Sequence, residues 1–156
     1  MGENDAFRGC IEPVLKWEEG AEVVLQPVYL IPVEAFRTGL FSRPAYRTQT
    51  VVVDASGGRA HIIQGKDALR VMEGEPEGIR LPVNISLPRA VMIAEGTAVT
   101  EGREGWRSLT GSCHVLAREE KALACWKAWI RSGDALVDST SGKKVSVGEM
   151  LGLMLP

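Results

Sequence analysis

The sequence predicts an α+β protein in which antiparallel sheets pack on helices, arranged as two related units of one helix and three strands. Three observations support this class. A pattern of strand, turn and strand at 51–62, VVVDASGGRAHI, returns at 135–147 as ALVDSTSGKKVSV. An apolar segment with aromatic residues precedes each copy. Hydrophobic residues make up 45% of the 156 positions, which is enough to bury a core.

The first predicted unit covers residues 1–75. Its opening segment, 5–19, places apolar residues at helical spacing ahead of a glycine, so a short, interrupted helix is expected there. The next stretch, 23–36, has the composition of a strand. Pro27 and Pro32 each remove a backbone donor and lie an odd number of positions apart, so their missing donors face opposite edges. We therefore expect a bulge or a break between the two prolines.

The two matched turns are predicted from their residue types. An aspartate opens each turn, Asp54 in the first copy and Asp138 in the second, and it can accept hydrogen bonds from the loop amides. A glycine follows four residues later, Gly58 or Gly142, and supplies a positive φ. Each turn therefore closes an antiparallel hairpin. Duplication and chance both remain open as explanations, because aspartate and glycine are common in hairpin turns.

The second predicted unit covers residues 76–156, after a linker of glycine, proline and acidic residues. A short helix is expected at 86–96, where a serine can act as N-cap and apolar residues follow at helical spacing. The segment 123–131 fits a helix and a strand equally well, since Trp126 and Ile130 share one face in either structure. The sequence leaves that choice open. The two units are expected to form one compact body.

The second aromatic segment and its turn, ALACWKAWIRSGDALVDSTSGKKVSV, resemble the PepSY and protease-propeptide type of module, whose typical ending is an aromatic strand followed by VDA.TG.V. The first unit, with LQPVYLIPVEAF and VVVDASGGRAHI, is similar. The resemblance implies a tandem cystatin-like or PepSY-like fold with a binding, inhibitory or regulatory role and no catalysis. This chain departs from the pattern at Gly57, where threonine is usual, and at Ser139, where alanine is usual.

Charge and composition do not favour nucleic-acid or membrane binding by the chain as a whole. The net charge is −2, and no apolar run approaches the length of about 20 residues that spans a bilayer. The first residues, MGENDAFRGC, lack the basic and apolar regions of a signal peptide. We therefore expect a soluble, cytoplasmic protein, or an extracytoplasmic one if a leader or anchor precedes this sequence.

The reactive residue types predict no catalytic, metal or cofactor site. His61, His114 and the three cysteines lack the spacing of a zinc site, and the cysteines are expected to be free and buried. A small thiol-dependent enzyme that uses Cys113 or Cys125 is an open alternative, as is pairing of these two cysteines. Whether the chain is an enzyme is therefore open, with a non-enzymatic role favoured.

A partner-binding surface is predicted on and around the loop that follows the first long strand. Within 34–66, five basic residues stand against two acidic ones, 5 − 2 = +3, and aromatic residues lie between them. The residues predicted to bind a partner are Tyr29, Arg37, Phe41, Arg43, Tyr46 and Arg47. A protein or peptide partner is favoured, and a nucleic acid held by segment 36–47 is an alternative that the overall charge makes less favourable.

The carboxyl-terminal segment VGEMLGLMLP is apolar and predicts docking on the fold or on a second copy of the chain. Taken together, these features predict a non-enzymatic binding or regulatory module for a protein or peptide partner.

Overall fold

The structure is a computed structural model that describes residues 6–39, 45–63, 69–105 and 111–149. Within these ranges, ten strands form one mixed sheet, and α1 (Leu87–Gly105) packs on it. The predicted α+β class with two helix-β-β-β units is wrong, because about 46% of the residues are strand and only 18% are helix. The strands are β1 (Cys10–Ile11), β2 (Val23–Gly39), β3 (Ala45–Asp54), β4 (Ala60–Ile63), β5 (Val71–Met72), β6 (Ile79–Arg80), β7 (Gly111–Ala117), β8 (Leu123–Ser132), β9 (Ala135–Asp138) and β10 (Lys144–Ser146).

The sheet is organised around β2, which pairs along both edges. On one edge it pairs antiparallel with β8 and then with β7. A short 3-10 helix (Glu119–Lys121) lies between β7 and β8 along the chain. On the other edge it pairs in parallel with β6 and then antiparallel with β3. The main strand order is β10-β9-β8-β2-β3-β4, and β1 joins β8 to β5. Both predicted meanders therefore lie in the same sheet.

The expected break between the two prolines of β2 is wrong, because each proline falls where its edge of β2 lacks a partner strand. Pro27 lies between the parts of β2 that pair with β6 and with β3. Pro32 lies between the parts that pair with β8 and with β7. Since the two residues are an odd number apart, their missing donors face opposite edges, and neither costs a ladder hydrogen bond. The strand therefore runs unbroken for 17 residues.

One face of the sheet is covered by α1. Alternate residues of β2, from Leu25 to Val33, point to this face and are buried. The helix meets them with Ala90, Ala94 and Ala98, which are spaced four residues apart and at most 1% exposed. Alanine has little bulk beyond Cβ, so the helix backbone can lie close to the sheet. The predicted helix at 86–96 corresponds to the first half of α1.

The helix expected at 5–19 is absent, and the described part of that segment contains β1 instead. Phe7 and Ile11 are both buried, but they belong to different core clusters. Ile11 packs beneath the face of the sheet opposite α1, whereas Phe7 and Cys10 pack on the α1 side. Tertiary pairing with β5 and β8 thus replaces helical hydrogen bonds, and Gly9 at φ 78° turns the chain into β1.

The ambiguous segment 123–131 is strand β8. Its residues alternate between two buried faces, with Trp126 and Ala128 towards α1 and Cys125 and Trp129 towards the opposite face. A strand in the middle of a sheet that is covered on both sides needs apolar residues on both faces. That requirement explains why the helical and strand patterns coincided in the sequence.

The two meanders, β2-β3-β4 and β8-β9-β10, are arranged about an approximate two-fold axis. The axis lies between β2 and β8, where Gln26 is the register partner of Lys127. Val28 pairs with Asp54 in one half, and the equivalent pair in the other half is Trp129 with Asp138. Each half therefore brings the aspartate of its turn next to the central pair of strands.

Candidate functional site

The face of the sheet opposite α1 carries a groove with a volume of about 1000 Å³. Apolar side chains from several parts of the chain line it, and the polar lining residues His61, Lys127, Asp138 and Lys143 lie near one another in what we call the polar end of the groove. The apolar contributors include Ile11, Val14, Val52, Ile63, Leu69 and Val145. The strand pattern explains this lining, because alternate residues of β3, β4 and β8 point to the same face.

A buried ion pair lies at the groove. Lys127 Nζ is 2.6 Å from Asp138 Oδ2, and the two side chains are only 12% and 7% exposed. Thr140 donates its backbone N–H and its hydroxyl to Asp138 Oδ1, at 2.8 and 2.7 Å. Burial alone would raise the pKa of Asp138, but the Lys127 ammonium and the hydrogen bonds from Thr140 bring it below its usual value. Asp138 is therefore a carboxylate at neutral pH.

The equivalent aspartate in the first half, Asp54, has no ion-pair partner among the described residues, although the Lys127 ammonium acts on it at longer range. Its Oδ1 accepts the backbone N–H of Ser56 at 2.8 Å, and Gln26, the counterpart of Lys127, donates to it from its side chain. Burial raises the pKa of Asp54 above its usual value, and these hydrogen bonds oppose that shift only in part. The two halves thus share one turn geometry but differ in charge.

Trp129 links the two halves at the floor of the groove. Its indole N–H donates to Gln26 Oε1 at 2.9 Å, and Lys127 Nζ lies 5.0 Å from the centre of its ring. A cation over an aromatic face is stabilised by the negative potential of the ring. Lys127 is thereby held between the tryptophan ring and Asp138.

The polar end of the groove is positively charged around His61. His61 lies on β4 opposite Val52, and its side chain is exposed. The pKa of His61 is below its usual value, first because the surrounding protein removes water from the charged form, and then because Lys127 and Lys143 repel it. Asp138 opposes that shift only in part. The imidazole is therefore neutral at pH 7.

The residues predicted to bind a partner lie in several environments. Tyr29 is 5% exposed and donates its hydroxyl to the carbonyl of Ile85 at 2.8 Å, so it belongs to the core beneath α1. Phe41 and Arg43 lie outside the described residues, as does the carboxyl-terminal segment from residue 150, on which the predicted homodimer contact depends. The partner surface and the homodimer both stay predictions.

The remaining predicted residues lie on the outer parts of β2 and β3. Arg37 is the register partner of Ala45, and Arg47 is exposed. Tyr46 is 62% exposed and lies directly across from Phe36, which is 40% exposed.

Phe36 also pairs in register with the exposed His114 of β7, so three rings follow one another across adjacent strands. Beside this row, Arg118 Nη2 lies 2.6 Å from Glu34 Oε2. Of these three rings, Tyr46 is one of the residues predicted to bind a partner, Phe36 lies in the predicted segment 36–47, and His114 was not part of the predicted surface.

The sequence does not predict the groove, although it contains one signal for it. The sequence predicts a turn role for Asp138, and the hydrogen bonds that Asp138 accepts from Thr140 are those of such a turn. Lys127 is a cation inside an otherwise apolar strand, between Trp126 and Trp129. A charge at such a position needs a partner when it is buried. The partner comes from β9, and only the strand order reveals it.

The described cysteines are not activated nucleophiles. Cys10 and Cys125 are free, buried thiols. Burial raises the pKa of Cys125 to about 12 and also raises that of Cys10, so both are protonated at neutral pH. Cys113 lies on β7 opposite Arg37, and its side chain is not described. Across the described residues, no group of three or more His, Cys, Asp or Glu side chains could hold a metal ion.

Among the helices of the described ranges, none is long and apolar enough to cross a bilayer. No family model, no curated protein and no solved structure matches this chain. The resemblance to the PepSY module therefore stays a prediction.

Proposed function

We propose that this protein is a non-enzymatic binding module, and that the groove on the face opposite α1 takes an extended segment of a peptide or protein partner. The observation that carries the proposal is the groove itself, an apolar concavity of about 1000 Å³ with polar groups at one end. Ligand sites in proteins have this character, with apolar walls and a few placed polar groups.

The apolar lining supports a partner with apolar side chains. Val14 on the wall is 77% exposed, whereas Val52 on the floor is 4% exposed, so the groove has both an accessible rim and a packed base. Burial of apolar surface contributes roughly 25 cal/mol per Å² removed from water. A short extended segment that places alternate side chains in the groove would gain stability in this way.

The polar end supports binding rather than catalysis. Lys127 and Asp138 are bonded to each other, and Trp129 holds the lysine from the other side. Side chains that are already bonded to each other can orient a ligand. A general base or nucleophile, in contrast, has to reach the reacting atom of a substrate. The described thiols, Cys10 and Cys125, are buried and protonated.

The proposal is tested with peptides selected from a random 12-residue phage library on the immobilised protein. We expect Val14→Arg, which places a charge on the apolar rim, to weaken the selected peptides at least about tenfold. The matched control is Met92→Arg, because Met92 is 72% exposed on α1, on the other side of the sheet. Equal affinity of both variants, measured by fluorescence anisotropy, would show that the groove is not the binding site.

A second candidate function is the binding of single-stranded nucleic acid, and the row of Tyr46, Phe36 and His114 favours it. Exposed rings on adjacent strands are a platform on which successive bases can stack. This reading predicts that a 12-nucleotide oligo(dT) binds, that its affinity falls steeply between 50 and 200 mM salt, and that Tyr46→Ala abolishes it. An oligonucleotide that does not bind at the lower salt concentration excludes this candidate.

A further inference from the structure

We infer that the partner segment carries a carboxylate, and that this carboxylate lies beside Lys143 and His61 at the polar end of the groove. The inference rests on the proposed function and names the chemistry of the ligand.

The described lining of the groove is more positive than the chain as a whole. It includes three basic side chains and two acidic ones, so these described residues carry a net charge of 3 − 2 = +1 with histidine neutral, whereas the whole chain is −2. The charged lining residues are Glu12, Arg70, Lys127, Asp138 and Lys143. An anionic ligand is therefore favoured over a cationic one at this surface.

Four of these five charges are arranged in pairs. Lys127 is bonded to Asp138 at 2.6 Å, and Arg70 Nε lies 3.9 Å from Glu12 Oε2 on the exposed rim. Lys143 has no ion-pair partner among the described residues. Its ammonium is the one charge of the described groove lining that a ligand could neutralise without breaking a pair.

The backbone holds Lys143 in place at this end. Asp138 donates its backbone N–H to the carbonyl of Lys143 at 2.8 Å, and the hydroxyl of Ser141 accepts the Lys143 N–H at 3.2 Å. These bonds close the second hairpin turn, so the stem of the lysine starts from an ordered position. The exposed side chain of Lys143 extends from this fixed backbone.

The pKa of His61 reflects the electrostatic potential at this end of the groove. The charged groups that act on it are Lys127 of β8, Asp138 of β9 and Lys143 of the second turn, and the two lysines outweigh the aspartate. A carboxylate placed here would meet the Lys143 ammonium and an imidazole that can donate one N–H. Charge-assisted hydrogen bonds of this kind are stronger than neutral ones.

The experiment uses three versions of each selected peptide, with glutamate, glutamine or lysine at the positions between the apolar residues. We expect wild-type protein to bind the glutamate version about tenfold more tightly than the glutamine version. Lys143→Gln should remove this preference while it leaves the affinity for the glutamine version unchanged. Lys144→Gln is the matched control, because Lys144 is exposed and pairs with Val137, one residue away from the groove-lining position.

An NMR titration of His61 supplies a second readout. Binding of the glutamate peptide should raise the pKa of His61, because a neighbouring carboxylate offsets the repulsion by the two lysines, and the glutamine peptide should raise it less.

The outcomes separate this inference from the proposed function. Equal affinity for the glutamate and glutamine versions would overturn the inference while the groove remained a peptide site. A preference that survives in Lys143→Gln would overturn it as well. If no selected peptide depends on the groove, by the Val14→Arg test, the proposed function fails with it.

Discussion

At the centre of the sheet, Gln26 and Lys127 occupy equivalent positions on neighbouring strands, and each reaches the aspartate of one turn. Asp54 therefore receives an amide and Asp138 an ammonium. The two aspartates have the same backbone geometry, since Asp54 and Asp138 each accept an N–H from the residue two positions later at 2.8 Å. The pKa of Asp138 is lowered by Lys127 and by the hydrogen bonds from Thr140, whereas desolvation outweighs the corresponding contacts at Asp54 and raises its pKa.

The two aspartates should respond to the same substitution in opposite ways. Asp138→Asn leaves the Lys127 ammonium buried without its counter-charge, and we expect a loss of about 3 kcal/mol in the free energy of unfolding at pH 7. Asp54→Asn keeps an acceptor for the turn amides and removes a buried charge, so we expect no loss, or a gain of up to about 1 kcal/mol. Urea unfolding of the two matched variants measures both.

The pH dependence of these effects has opposite signs. Asp138 has a folded pKa below its usual 3.8, so its contribution to stability is present above that value and is lost as the pH falls through the folded pKa. Asp54 has a raised pKa, so its contribution is present below 3.8 and is lost as the pH rises through the folded value. If Asp138→Asn and Asp54→Asn changed the free energy of unfolding similarly at all pH values, the opposite pKa shifts of the two aspartates would be contradicted.

At the scale of the elements, the contact between β1 and β5 builds one wall of the groove, and a glycine makes it possible. Gly9 has a φ of 78°, and a Cβ at this position would lie 2.6 Å from the carbonyl oxygen of Met72. Ile11 and Leu69, which flank this contact, line the groove. The close approach of the two backbones is therefore a requirement of the site as well as of the fold.

We expect Gly9→Ala to lower the free energy of unfolding by about 3 kcal/mol or more, because it adds a backbone clash to the strain of a positive φ. Gly20→Ala is the matched control, since Gly20 has a φ of 90° and nothing within 4 Å of the added Cβ. Its cost should be about 1 kcal/mol. Thermal and urea unfolding compare the variants, and equal losses would show that the β1-β5 contact is not closely packed.

At the scale of the whole molecule, the two meanders share their central pair of strands. β2 belongs to the first predicted unit and β8 to the second, yet they are register partners from Val23 with Ile130 to Leu30 with Leu123. The division into 1–75 and 76–156 stays a prediction. If the two halves were separated, β2 and β8 would each expose the edge along which they now pair.

This arrangement predicts unfolding of both halves in one cooperative step. In a variant with Trp17→Phe and Trp106→Phe, the fluorescence of Trp126 and Trp129 reports the second half, and the amide signals of Val51 and Val53 report the first, because these residues are buried on β8 and β3. In urea, we expect the same midpoint from both probes. An earlier transition in either half would show that the halves are separate folding units.

Local sequence carries the information for the turns and for much of the strand pattern. Asp54 with Gly58 and Asp138 with Gly142 make contacts within a few residues, and Gly58 and Gly142 have φ of 81° and 78°. Turn chemistry of this kind depends on side chain and backbone neighbours that the chain order already supplies. The helix of the second unit is likewise visible from its periodicity, although its full length is not.

Only the tertiary structure decided that 5–19 holds β1, that 123–131 is β8, and that the groove exists. The first two depend on pairing with strands distant in sequence, which offsets local helical propensity. The ion pair of Lys127 with Asp138 joins neighbouring strands in the same way. A charge inside an apolar strand reveals that a partner is needed, but the partner's identity depends on the order of the strands, because contacts across a sheet are set by register and not by distance along the chain.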